Sequence, residues 1–172
     1  MEKDKVSGLK KRAIKKKTDK LKSEKKVVIR PLEAYKKILL ISIEEKQGFR
    51  KDIEGVFPMS KTHHLHFRPI KEDRSVGFDY SVHPSDFNLT GVLKNDKLSN
   101  LTKDHFDLVL DLSTDSVTLD YFTKSVSADL VIGRMSAQKE AHDLRVEYGT
   151  DDRSFLNNVK HQLLLLSENG TE

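Results

Sequence analysis

Two apolar runs constrain the fold of this chain more than any other feature. Lys37 to Ile43 (KILLISI) and Phe106 to Leu112 (FDLVLDL) carry almost no polar interruption, and each is only seven residues long. Runs of that length and continuity suit strands buried on both faces, which occur chiefly in parallel sheets flanked by helices. The surrounding sequence agrees. Glu44 to Val56 places Phe49, Ile53 and Val56 at helical spacing, Ser113-Thr114-Asp115 opens an amphipathic run to about Val126, and after Asp151-Asp152 the residues Phe155, Val159 and Leu163 repeat every four. Thr62 to Arg68, Asn88 to Leu93, Ala128 to Gly133 and Asp143 to Glu147 read as further strands, and Pro69 to Phe87 mainly as loop. This alternation predicts a Rossmann-like α/β domain of three layers built on a largely parallel sheet.

Charge divides the chain differently. The first 37 residues hold fifteen basic and five acidic side chains, a net of +10, while the remaining sixteen basic and twenty-two acidic residues leave the body at −6. The organisation read from this is a basic N-terminal arm over residues 1–36, helical or disordered, ahead of one α/β domain over residues 37–172. Val6, Leu9, Ala13 and Ile14 give the arm a thin apolar stripe at helical spacing. No cysteine is present, which excludes disulfides and thiol catalysis and fits a reducing compartment. No apolar stretch approaches the roughly 20 residues that span a bilayer, so a soluble cytoplasmic protein is expected.

A parallel sheet presents its chemistry at the carboxyl ends of the strands. Residues 43–48 (IEEKQG) lack both glycine spacings that cradle phosphates, and Glu44, Glu45, Asp111 and Asp115 crowd negative charge at that edge. Phosphate binding there is disfavoured, and Ser113 or Thr114 reads as a helix cap. Glu44, Glu45 and Asp111 are the candidate ligands for a divalent cation, against which stands the ordinary role of acids at helix starts. His64 and His66 share a strand face as an H-x-H pair would for zinc, but no third ligand stands at motif spacing. No G-x-S-x-G nucleophile elbow is present. Asp79-Tyr80 and His83-Pro84-Ser85-Asp86 are a weak pointer within a loop.

The basic arm remains. Lys10, Lys11, Arg12, Lys15, Lys16, Lys17, Lys20, Lys22, Lys25 and Lys26 surround the arm with charge suited to neutralising several phosphates. The arm has no aromatic residue before Tyr35, which argues against a base-stacking platform and against an interfacial membrane helix.

Behind the basic stretch, the segments Lys37 to Ile43, Phe106 to Leu112, Ala128 to Gly133 and Asp143 to Val146 resemble an uncharacterised protein family of Bacteroidota, a domain of unknown function. Its members carry an F-D-L-L-I-D strand, an A-K-x-x-x-G strand and a D-L-x-I strand leading into a terminal helix. The resemblance implies a Rossmann-like fold and no known activity, and it carries over no catalytic residue or cofactor. Phe106 to Arg134 is also similar to a strand-helix-strand of the heptosyltransferase N-terminal domain, a likeness of architecture. The expected function is therefore non-enzymatic binding of RNA or a ribonucleoprotein such as the ribosome through the arm, with the acidic body facing a protein partner. The alternative is a small metal-dependent or ligand-binding enzyme that uses Glu44, Glu45 and Asp111.

Overall fold

The computed structural model describes residues 7–21, 25–43, 46, 48–68, 79–137 and 139–168. In chain order the elements are α1 (Gly8–Asp19), β1 (Lys37–Ser42), α2 (Phe49–Val56), β2 (Lys61–Phe67), β3 (Tyr80–Val82), α3 (Asp96–Leu101), β4 (His105–Asp111), α4 (Val117–Ser125), β5 (Ser127–Arg134), β6 (Leu144–Val146) and α5 (Asp152–Glu168). The two apolar runs lie side by side as β1 and β4, with Ile38 opposite Leu108 and Ile41 opposite Asp111. From this pair the sheet grows outward on both sides in the order β3-β2-β1-β4-β5-β6, and every pairing is parallel.

Alternate residues of the central strands feed two cores. Ile38, Leu40, Leu108 and Leu110 join Phe49 and Ile53 of α2 and Phe155, Val159 and Leu163 of α5 on one face. Leu39, Ile41 and Val109 join Leu98 and Leu101 of α3 and Leu119 and Phe122 of α4 on the other. The result is the three-layer Rossmann-like domain the alternation predicted.

Ile14 of α1 belongs to the second core. It is fully buried, and α1 packs along α4. The stripe that holds it is narrow: Thr18 is also buried, its hydroxyl returning to the Ile14 carbonyl at 3.0 Å, whereas Leu9 stays 77% exposed. A second support comes from Gly91, whose φ of 76° few other residues adopt and whose absent Cβ would lie 2.7 Å from the Ala13 carbonyl carbon. Beyond α1 the chain returns to the start of β1 under tight control. Val28 donates its amide to the Asp129 carbonyl, Arg30 reaches Asp107 at 2.7 Å and Asp129 at 2.5 Å, and buried Tyr35 sets its ring edge-on to Phe57.

Three local expectations are corrected. Residues 88–93 are not a strand: Asn88 caps a turn through its side chain, Gly91 closes it, and only Phe87 and Leu93 form a bridge. The edge strand is β3, inside the stretch read as loop; residues 69–78 of that stretch lie outside the described ones. The cap of α4 is Ser116, which accepts from the Leu119 amide, rather than Ser113 or Thr114.

Full burial of an isoleucine stabilises by about 1.5–3 kcal/mol, and truncating one in a core leaves a cavity besides. Ile14→Ala is therefore expected to cost about 2–5 kcal/mol in urea denaturation. Amide exchange should rise first across residues 8–19. A loss below about 0.5 kcal/mol, the range of neutral surface changes, would show that α1 is not docked.

Candidate functional site

Strand order reverses between β1 and β4, so the carboxyl ends of these strands flank the position where such sheets bind ligands. Asp111 closes β4 there and is wholly buried. One carboxylate oxygen accepts from the Ser113 amide at 2.9 Å and the Ser113 hydroxyl at 2.5 Å. The other accepts from the Thr123 hydroxyl at 2.9 Å, Lys139 Nζ at 2.9 Å and His142 Nε2 at 3.0 Å. Burial alone would raise the Asp111 pKa, but Lys139, His142 and Ser113 outweigh it and hold the carboxyl well below its usual range. Burial likewise opposes the charge on Lys139; Asp111 and Asp120, the latter at 2.8 Å, overcome it and raise the amine. Asp120 is itself raised by burial despite that contact.

This arrangement limits the chemistry. Lys139 touches the Ser113 hydroxyl at 2.6 Å, which on distance alone would suit a serine–lysine nucleophile pair. A lysine kept protonated between two acids cannot take the serine proton. Nor does Asp111 offer lone pairs to a divalent ion, because five protein donors already occupy its oxygens; Glu44 and Glu45 lie outside the described residues. Lys139, His142 and Thr123 were not singled out from sequence. The one trace they left is Gly133, a glycine inside a strand: a Cβ there would overlap the His142 ring.

The histidine pair of β2 is also engaged. His64 Nε2 lies 2.6 Å from the Ser42 hydroxyl of β1, and its ring is 6.1 Å from that of His66. Burial, then the nearby His66, lowers the His64 pKa to about 4, so the ring is neutral near pH 7. Asp79 binds Arg50 at 3.0 Å and the His64 amide at 3.1 Å. His83 and Asp86 form a reciprocal cap on the short turn at Pro84–Asp86. At the opposite edge of the sheet, His105, Asp107 and Asp129 stand close enough to share a cation, but the Arg30 guanidinium occupies both carboxylates.

The basic residues divide into anchors and outward charges. Lys10 donates to the Pro84 carbonyl at 2.9 Å and Lys25 pairs with Asp143 at 2.6 Å. Lys11, Arg12, Lys15, Lys16, Lys17, Lys20 and Lys26 are exposed, and among the described residues their side chains meet no carboxylate. Lys22 lies outside the described residues. Among those residues no helix is long and apolar enough to cross a membrane.

A family of unknown function, DUF6913, matches residues 10–166. The chain belongs to the DUF6913 family. That match begins within α1 and ends within α5, so the basic helix is part of the family unit. No curated protein and no solved structure matches this DUF6913 chain.

Two outcomes are expected of the DUF6913 domain. Removing one partner of a buried ion pair costs about 3–5 kcal/mol, so Asp111→Asn should destabilise on that scale. In the Asp111→Asn/Lys139→Met double variant the loss should be less than the sum of the single losses; additivity in urea denaturation would mean the two groups are uncoupled. The second outcome concerns pH. His64 binds its proton more weakly folded than unfolded, so stability is intact above the unfolded value near 6.5 and falls as pH drops toward 4. The fall amounts to about 3 kcal/mol at 1.36 kcal/mol per unit. His64→Asn should flatten the stability profile in that window, and an unchanged slope would assign the acid sensitivity elsewhere.

Proposed function

We propose that this protein binds RNA or a ribonucleoprotein, through α1, by charge rather than by base recognition. The observation that carries the reading is how α1 is held. Its apolar and hydroxyl residues Ile14 and Thr18 face the domain, while Lys11, Arg12, Lys15, Lys16, Lys17 and Lys20 face out without a carboxylate among the described residues. A tail neutralised by its own acidic body would spend its lysines on that body, and α1 docks by an isoleucine instead.

A helix of 12 residues is about 18 Å long, so these cations form a fixed array that meets a run of backbone phosphates without ordering a flexible chain first. A membrane surface is a poorer partner, because interfacial helices bury an apolar face and this one has given its isoleucine to the core. With no aromatic side chain on α1, single-strand stacking has nothing to act through. RNA is abundant in the cytoplasm, where a chain without cysteine is at home. Specificity would come from the body, whose net negative charge suits a protein partner.

The test is binding of a labelled RNA duplex, and of a single strand of equal length, across a salt series. Binding should weaken linearly on a log–log plot with a slope near 0.7–0.9 per phosphate neutralised. The variant Lys11→Gln/Arg12→Gln/Lys15→Gln/Lys16→Gln should lose most of the affinity at unchanged melting temperature. If the wild type ignores both RNAs at low salt, or the variant binds as well as the wild type, the reading fails.

A further inference from the structure

We propose that Arg134 and Tyr148 form a binding site for the carboxylate group of a small ligand, at the carboxyl edge of the sheet. The site does not depend on the RNA reading: Tyr148 packs on the core of α2 and α5, and α1 packs on the opposite one.

Arg134 ends β5, next to the strand whose end flanks the reversal of strand order. Among the described residues no carboxylate lies within 4 Å of it. Arg30, Arg50, Lys46, Lys124 and Lys139 are all partly buried, and each faces at least one carboxylate within 4 Å. Arg134 is partly buried too, yet among the described residues its only hydrogen bond is a long one, 3.4 Å from Nη1 to the Leu112 carbonyl. Its Nε is buried with no partner among the described residues. The charge is stabilised instead from one side, by the ring of Tyr148, whose centroid lies 3.5 Å from the guanidinium carbon.

Stacking fixes the plane of the guanidinium and leaves donors on its terminal nitrogens unused, the geometry that receives a carboxylate by two parallel hydrogen bonds. The platform itself is anchored. Tyr148 donates its hydroxyl to Asp152, burial and that bond push its pKa up to about 12, and Asp152 also takes Lys46 at 3.0 Å. One line of contacts thus runs from the loop after β1 to the end of β5, and of its charged groups only Arg134 lacks an opposite charge among the described residues.

The surroundings select the ligand. Asp151 and Asp152 both act on the Tyr148 hydroxyl, so an anion arriving at Arg134 meets repulsion that scales with its own charge. A dianionic phosphate suffers twice what a carboxylate does. The edge also lacks the glycine-rich amides that would offset it.

The experiment is nitrogen-15 NMR of the full chain at low ionic strength, titrated separately with acetate, benzoate, inorganic phosphate and chloride. Acetate and benzoate should shift the Arg134 Nε–H signal and the amides around Tyr148 saturably, phosphate less, and chloride not at all. Arg134→Gln should abolish the response. Arg134→Lys keeps the charge, loses the fork, and should weaken binding at least tenfold; it carries the test alone should the glutamine variant not fold. The quadruple α1 variant should titrate like the wild type. No saturable response to either carboxylate, an equal one in the Arg134 variants, or a stronger one to phosphate would overturn the proposal.

Discussion

The structure depends on one constraint: β1 and β4 are buried on both faces, so neither face can be left to water. On one side the 17-residue α5 and α2 supply the cover. On the other, α4 has nine residues and α3 only six, and the chain adds α1 to that layer. This requirement decides which way α1 faces. Ile14 is its one large apolar side chain in the core, so the helix docks with that side in, and charged side chains cannot follow it because burying them unpaired would cost far more than the isoleucine returns. The outward display of lysine is thus a consequence of covering the sheet.

The same constraint governs the polar residues within the central strands. Asp111 could not sit at the end of β4, wholly buried, without an internal cation. Lys139 supplies that cation from the β5–β6 connection and His142 adds a hydrogen bond, and together they draw that segment over the end of the strand. Gly133 is the steric counterpart, leaving room for the imidazole beside β5. Ser42, the other buried polar residue of the central pair, settles against His64.

How legible this was in sequence follows from the range of each interaction. The central strands and α5 showed plainly because their signal, continuous or four-residue apolar spacing, is contained within the element. The edge strand β3 was hidden because three residues are too few to display a period, while Leu89, Val92 and Leu93 imitated a strand where Gly91 in fact turns the chain. The partners of Asp111 were out of reach for a different reason: Lys139 and His142 stand 28 and 31 residues downstream, and only the folded sheet brings them back. Arg134 is harder still. Among the described residues it has no counter-charge, and an absence in space leaves no mark on a one-dimensional string.

Charge, finally, is distributed by saturation. The acids that flank the sheet already have partners: Asp107 and Asp129 share Arg30, Asp79 takes Arg50, Asp152 takes Lys46, and Asp111 takes Lys139. A lysine on α1 that folded inward would find these acids occupied and would still lose its water, whereas a surface ion pair gains about 1 kcal/mol at best. Lys25 alone among the described arm residues before Arg30 has won a carboxylate, that of Asp143. The acidic body and the basic helix therefore coexist on one small domain with the α1 cations exposed and, among the described residues, without a carboxylate partner. A net charge of only +4 thus conceals a local concentration of exposed cations on α1, the feature on which the proposed binding of a polyanion rests.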